Sequence, residues 1–372
     1  MTSADLSVIH GLSDCLQSSA GANEAERRLQ SAVVDTLSES GLFTLLLPPS
    51  VGGDERTAMN ALSQIAHAAY HDGAAGWCSM ISSTTSLLAA FLDPAVARAT
   101  FGSAKAVGGV FAPKGSGVWD GDDLVVSGRW QWGSGLQHCD WAVCGVVDDA
   151  GHRHTAVVAT AELDIIDTWY TVGLRGTGSN DFALNGARVA KDHLISQTKP
   201  IAMCDDAVAS LPNFSMLGAG VAAVSLGIAC RSIDEFTVLA KEHRPQFSTR
   251  LIAEHHAAQA AVAEAIVEVR AFGEHLMSAV ADVWHTIVAG ERCEVGQRVA
   301  IRGAAARLVT AGADVATTMF RLGGGAAVYE DSVLGRCLRD SQVVPQHLMV
   351  APKLFETLGR HALDQPLDAG MI

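Results

Sequence analysis

The stretch DDLVVSGRWQWGSGLQHCDWAVCGVVDDAGHRHTAVVAT, Asp122–Thr160, sets the architecture of the chain. Runs rich in Val and Trp (Asp123–Trp132, Trp141–Val147, Thr155–Thr160) alternate with Gly and Asp clusters at Gly133–Gly135 and Asp148–Gly151. That is the composition of strands separated by turns. A similar run, Ala106–Phe111, lies upstream of the turn Asp120-Gly121-Asp122, and Asp181–Val189 continues the pattern downstream. The short spacing, about 8 to 15 residues, predicts hairpins and hence an antiparallel sheet or barrel.

On either side the period is helical. Glu24–Ser40 puts Ala25, Leu29, Ala32, Val33, Thr36 and Leu37 on one stripe, with Glu24, Glu26, Arg27, Arg28 and Asp35 mostly opposite; Gly41 sits where a helix C-terminus wants glycine. Further helices are expected over Thr57–His71 and Ala75–Leu92, and Asp93-Pro94 opens another short one. From about Ser210 the pattern predicts long helices at Phe214–Glu242, Ala253–Ala289, Val295–Leu322 and Val333–Leu363. The expectation is an α+β chain in three parts: an N-terminal helical domain (1–104), a middle antiparallel β domain (105–205) and a C-terminal helical bundle (206–372).

With 372 residues the chain is long enough to bury its cores without disulfides or metals. It carries 26 Lys+Arg against 40 Asp+Glu, a net −14, which speaks against a nucleic-acid partner that needs a basic footprint. Hydrophobic residues at 49% and charged ones at 18% exclude disorder. The opening MTSADLSVIHGL shows neither a basic nor an apolar leader. The uncharged stretches Gly73–Leu92 and Ala207–Cys230 hold too many Ser, Thr, Gly and Pro for lipid-facing spans and read as buried helices. The eight cysteines form no C-x-x-C pair and read as reduced thiols. These features predict a cytoplasmic enzyme with no membrane partner.

Metal and nucleotide signatures are missing from the sequence. There is no H-E-x-x-H and no Walker loop, and Gly323–Gly325 follows a helix rather than a strand. Gly133-Ser134-Gly135 lacks the first glycine of a nucleophile elbow. His152 with His154, and His255-His256, lack a third ligand at metal spacing and read as surface; no metal is expected.

Four segments resemble the acyl-CoA dehydrogenase superfamily over essentially the whole chain. They lie closest to its flavin-dependent monooxygenase branch, the oxygenase components of two-component hydroxylases. SGLFTLLLPPSVGGDE (Ser40–Glu55) resembles the helix stop and packing turn of that superfamily. VSGRWQWGSGLQHCDW (Val126–Trp141) is similar to its strand–turn–strand against the flavin ring. The resemblance implies that Trp132 packs beside the isoalloxazine and that Ser134 turns its hydroxyl to flavin N5. Trp130 and Trp141 read as core, and His138 as a strand histidine.

GLRGTGSNDFALNGARV (Gly173–Val189) resembles the strand pair that closes the β domain over the flavin, with Thr177 and Ser179 as implied cofactor contacts. GGGAAVYEDSVLGRCLRDSQVVPQH (Gly323–His347) resembles the Gly-rich break and the Arg-Asp helix, with Gly324 at the cofactor. Where dehydrogenases of the commonest type carry a Glu soon after Arg-Asp, this chain has SQVVPQHLMV, and His347 stands in the region where the monooxygenase branch has a histidine. HRPQFS (His243–Ser248) is close to R-x-Q-F-G, whose Arg reaches cofactor phosphates across a subunit boundary. Arg244 takes that place, with Ser248 instead of Gly.

The resemblance implies a flavin-dependent monooxygenase. It would take reduced FAD or FMN, FAD slightly favoured, from a separate NAD(P)H-dependent flavin reductase, and use O2 through a flavin C4a-hydroperoxide. The expected substrate is a small, largely aromatic molecule. His347 would act as base on a phenol, indole N–H or amine, near its ordinary pKa, and Ser134 would hold the N5 side. Trp77, Cys78, Met80 and Phe111 are the expected apolar wall of the pocket. A homotetramer is expected from the family. The alternatives are N- or S-oxygenation by the same flavin chemistry, an FAD-dependent acyl-CoA dehydrogenase whose base has moved to Glu330 or Glu356, and a non-catalytic protein that kept the fold.

Overall fold

The computed structural model describes residues 12–367, 370 and 372. The leader-free reading of the first residues falls mostly on residues outside this range. Among the described residues, the first segment holds five α-helices: α1 (Ser13–Glu26), α2 (Ser31–Glu39), α3 (Ala58–His71), α4 (Gly73–Ser86) and α5 (Pro94–Thr100). The caps are those the sequence offers. The Thr57, Asp72 and Asp93 side chains accept from the amides of Asn60, Ala74 and Ala95 at the starts of α3, α4 and α5.

The single helix expected over Glu24–Ser40 is broken in two. Arg27 takes a left-handed conformation (φ 55°) and ends α1. It is held there by a bidentate pair with Asp167 and by stacking of its guanidinium 4.0 Å over Tyr170. The buried Asn23 accepts the Gln30 amide across the break. A continuous apolar stripe cannot reveal such a break, because the tertiary partners lie far away in sequence.

Residues 107–196 form one sheet of order β5-β6-β2-β1-β3-β4-β7. Its strands are β1 (Val107–Asp120), β2 (Asp123–Gly133), β3 (Trp141–Asp148), β4 (Arg153–Ala159), β5 (Asp164–Ile166), β6 (Asn180–Ala190) and β7 (Leu194–Ser196). The sheet is mixed, not antiparallel as expected. β1 and β2 form a hairpin through Gly121-Asp122, but β3 pairs parallel with β1 on its other edge. The Gly133–Gly135 region is therefore no hairpin turn. It starts a connection that passes over the head of β1, where a Cβ on Gly108 would lie 3.1 Å from the Ser134 carbonyl and 3.2 Å from Cys139 Sγ. The connection is anchored where Asp140 accepts the Lys105 amide and donates its own N–H to the Ala106 carbonyl. Trp130 is buried as expected, stacked on Phe182, with its Nε1 donating to the Gly145 carbonyl. Trp141 is half-buried against His193.

The last segment holds α6 (Asn213–Glu242), α7 (His256–Val288), α8 (Val295–Gly323), α9 (Val333–Val343) and α10 (Leu354–Ala362). The helix expected over Val333–Leu363 is interrupted by two 3₁₀ turns around Pro345 and before Pro352, each proline removing an amide the helix would need. α6 passes through the middle and packs on α3, α4, α7, α8 and α9. It is long and apolar enough to cross a membrane, yet 89% of its most apolar window is buried inside the protein, which accounts for the apolarity. α4 is likewise almost wholly buried. The main core runs without a break from the N-terminal helices through one face of the sheet into α6 and α8.

Candidate active site

α4, the β2–β3 connection and the loop before β6 converge on a chain of side-chain hydrogen bonds. Trp77 Nε1 donates to Ser134 Oγ at 3.0 Å. Ser134 Oγ lies 2.7 Å from Ser179 Oγ, which lies 2.7 Å from Thr177 Oγ1, and Thr177 donates to the Leu174 carbonyl at 2.8 Å. The ends fix the direction. An indole N–H only donates and a carbonyl only accepts, so Ser134 donates to Ser179 and Ser179 to Thr177. Ser134, 5% exposed, has thus committed its hydrogen inward and keeps one lone pair beyond the one Trp77 fills. Next to it, Trp132 is 64% exposed on a left-handed backbone (φ 69°). A bulky residue in that conformation is strained, and such strain clusters at ligand sites.

The loop that carries Thr177 and Ser179 is tied to α9. Leu174 is left-handed (φ 49°) and donates its amide to Asp340 Oδ1 at 2.6 Å. Its carbonyl also accepts from Trp169 Nε1 at 3.0 Å. A Cβ on Gly173 would stand 2.1 Å from the Arg339 carbonyl, so only glycine lets the loop reach the helix. The Gly-Leu-Arg-Gly-Thr and Arg-Asp segments singled out in the sequence are therefore the two sides of one contact. Arg339 pairs with Glu24 of α1 at 2.7 Å, and Asn23 donates to the buried Asp72 at 2.7 Å, which closes the network from the N-terminal side.

His347 stands edge-on to Trp77, ring centroids 5.6 Å apart. Its Nδ1 accepts the Met349 amide at 3.3 Å, which leaves the ring hydrogen of the neutral form on Nε2. Burial and the positive charge of the buried Arg302 push its pKa down to about 4, so the ring is neutral at physiological pH and does not titrate near neutral pH as the sequence suggested. His138 lies on the β2–β3 connection rather than on a strand. It stacks on Phe43 at 5.4 Å and is also pushed down to about 4 by burial.

A histidine whose folded pKa lies below its unfolded value stabilises the fold above about pH 6.5 and loses that contribution as pH falls toward 4. The loss at His138 is on the order of 3 kcal/mol. His138→Phe keeps the stack, so its Tm should gain several degrees on the wild type between pH 7 and pH 4 in calorimetry. A constant difference would place the titration elsewhere.

The other expected site residues separate. Cys78 Sγ lies 4.0 Å from the Thr177 carbonyl and joins the group, its thiol raised by burial. Met80 faces α6, where a Cβ on Gly220 would come within 2.6 Å of its Cγ, and Phe111 packs edge-on to Phe214 at the start of α6. Arg244 is exposed beyond the C-terminus of α6. Gly324 (φ 54°) is exposed after α8, next to Gly323, which approaches Leu239 near that same end of α6. His347 and Met349 instead adjoin the start of α6, where Gly218 approaches the Met349 carbonyl. Gly218 and Leu239 lie 21 residues apart on α6, so the two groups lie about 30 Å apart along it. His152 and His154 are not both surface residues. Both bond the buried Asp148, and the side chain of His154 is only 16% exposed. Glu330 and Glu356 are exposed, Glu356 near Arg360.

Sequence reasoning missed Asp340, Asp72, Asn23 and Arg302 as neighbours of the site. Asp340 was in view as part of Arg-Asp, and only its contact with Leu174 was hidden.

Residues 219–352 match the family model described as acyl-CoA dehydrogenase, C-terminal domain. The chain is 27% identical over 346 residues to an indole-3-acetate monooxygenase of Pseudomonas putida, covering 91% of this chain and 88% of that protein. It is 26% identical over 385 residues to the flavin-dependent monooxygenase oxygenase subunit HsaA of Mycobacterium tuberculosis, covering 97% and 95%. The crystal structure of HsaA from M. tuberculosis superposes with a TM-score of 0.91 at 24% identity over 99% of both chains. XiaF from Streptomyces sp., in complex with FADH2 and glycerol, superposes with a TM-score of 0.90 at 21% identity over 98% of this chain and 96% of that one.

Proposed function

We infer that this chain, which has the acyl-CoA dehydrogenase fold in the form shared by flavin-dependent monooxygenase oxygenase components, oxygenates a small aromatic molecule with reduced flavin and O2. It is an oxidoreductase of the two-component kind, fed with reduced flavin by a separate NAD(P)H-dependent reductase. The observation that carries the reading is the meeting of Ser134, Trp77 and His347 beside the exposed, strained Trp132, at a place where the dehydrogenase carboxylate has no counterpart.

The residues present fit a flavin. An exposed indole plane in a costly backbone conformation is covered well by a flat ring. The open lone pair of Ser134 suits a donor such as the N–H at N5 of a reduced flavin. Reduced flavin, when bound, supplies two electrons to O2, so that one oxygen atom enters the substrate and the other leaves as water.

The chain's own residues do the rest. Trp132 and Ser134, backed by Ser179 and Thr177, position the ring. Trp77 and Cys78 keep water out. His347 handles the substrate proton: its Nε2–H orients an oxygen or nitrogen of the substrate, and, once the long Met349 bond is released and the ring hydrogen sits on Nδ1, the free Nε2 takes the substrate's O–H or N–H proton. Arg244 and Gly324 lie too far along α6 for the same flavin within one chain, which supports a homotetramer in which they serve a neighbour's cofactor. Arg244 beside the cofactor phosphates favours FAD over FMN. Indole-3-acetate, named for the Pseudomonas relative, and simple phenols are the first substrates to try.

The test is to bind anaerobically reduced FAD or FMN, admit ¹⁸O₂ and analyse the products on indoles and phenols. One labelled oxygen atom in an aromatic product supports the reading. Peroxide alone with every aromatic, or flavin that copurifies and is bleached by an acyl-CoA, overturns it.

A further inference from the structure

The chemistry just described leaves two buried acids at the site, Asp72 and Asp340, without a role. Asp340 is 6% exposed on α9 and gives its Oδ1 to the Leu174 amide. The groups that face it come from every side. Asp72 and His71 stand at the α3–α4 junction, where a Cβ on Gly73 would lie 2.9 Å from Asp340 Oδ2. Tyr70, Arg231 on α6, and Arg336 and Cys337 on its own helix line the same small cavity, and Glu24 reaches in from α1.

We propose that Asp340 is a positioning residue: it fixes the backbone of Leu174, whose carbonyl is the final acceptor of the hydroxyl chain, and so sets the orientation of Ser134. The argument is one of connectivity. The chain Trp77–Ser134–Ser179–Thr177 has a single direction only because it ends on the Leu174 carbonyl. That carbonyl is aimed by a left-handed peptide that a leucine adopts at a cost, and the amide of the same residue is held by Asp340. Without the Asp340 bond, Leu174 can relax, Thr177 can rotate, and Ser134 can turn its hydrogen outward, which closes the lone pair assigned above to the flavin. What Ser134 does for a flavin rests on the proposed function; the positioning does not.

Burial, with Asp72 and Glu24 adding to it, raises Asp340 to about 7. The signs of two effects then differ. Because the folded pKa lies above the unfolded one, global stability falls as pH rises from about 4 toward 7. The Leu174 bond instead strengthens as Asp340 ionises, since a carboxylate accepts more strongly than a neutral acid. A group that only held the fold together would make local protection follow global stability downward. A positioning carboxylate makes it rise.

Hydrogen exchange of the flavin-free full chain, corrected for the intrinsic pH dependence, separates the two. The Leu174 amide and the 173–180 segment should be about tenfold better protected at pH 8 than at pH 6 in the wild type. Asp340→Asn should show no such step, and Asp340→Ala should exchange about tenfold faster at both pH values. If the alanine variant does not fold, the asparagine comparison decides alone. A wild type without the step, or an Asp340→Asn protein that keeps it, overturns the proposal. Titration with reduced FAD in the same samples keeps the readings apart: a wild type that shows the step but binds no reduced flavin retains the positioning and removes the function.

Discussion

His347→Asn should lower the rate of substrate oxygenation roughly a hundredfold or more while the dissociation constant for reduced flavin changes less than about threefold. Positioned proton transfer is worth on the order of 10² to 10⁴ in rate. Asparagine is the informative replacement because His347 also caps a turn: its Nδ1 accepts the Met349 amide, a duty asparagine performs well. The variant keeps the cap and the approximate volume against Trp77 and loses only the group that can exchange a proton.

The pH profile sharpens the test. A ring with pKa about 4 is neutral throughout the physiological range, so the acid limb of the wild-type rate that belongs to His347 should lie near pH 4 to 5 rather than near 6.5. In the variant that limb should vanish. If oxygenation and flavin affinity fall together in His347→Asn, the ring serves to hold Trp77 in place and the proton must be handled elsewhere.

The order of helices, strands and helices was legible because the period of apolar residues switches near Ala104 and again near Ser210, and the period is a local property. Helix starts at Thr57, Asp72 and Asp93 were legible or nearly so for the same reason: a cap is a contact between residues two or three apart. What escaped was long-range. The break at Arg27 depends on Asp167, the parallel placing of β3 depends on which edge of β1 was left after the hairpin closed, and the Leu174 turn depends on Asp340.

The site shows the same division. Ser134, Thr177, Ser179 and Trp77 stood out by sequence and meet in space, and Met80 and Phe111, picked for the apolar wall, pack on the start of α6, the end that His347 adjoins. Burial is also what moved His347 away from a neutral pKa, and burial depth cannot be read from residue type.

The hydroxyl chain yields the second large effect. In Ser134→Ala, Trp77 Nε1 loses its acceptor and Ser179 loses the hydrogen donated to it, both in a buried setting. An orphaned buried donor costs about 1–3 kcal/mol, so the variant should melt several degrees lower. It should also bind reduced flavin about tenfold more weakly, one hydrogen bond's worth. Trp77→Phe makes the opposite change: it removes the donor and leaves Ser134 with both lone pairs open. Its stability loss should be smaller and its flavin affinity close to that of the wild type.

The double variant settles whether the four groups act as a chain. With Phe at 77 there is no indole N–H left to orphan, so Ser134→Ala should cost about 1–2 kcal/mol less in that background than in the wild type. Strict additivity in the cycle would mean that Trp77 and Ser134 only lie close together. The direction of the chain predicts one more asymmetry. Ser179→Ala deprives Ser134 of the acceptor for its hydrogen, which frees the hydroxyl to turn toward the flavin as a donor; this should weaken affinity for the reduced ring, which offers an N–H at N5, more than for the oxidised ring, which offers a lone pair there.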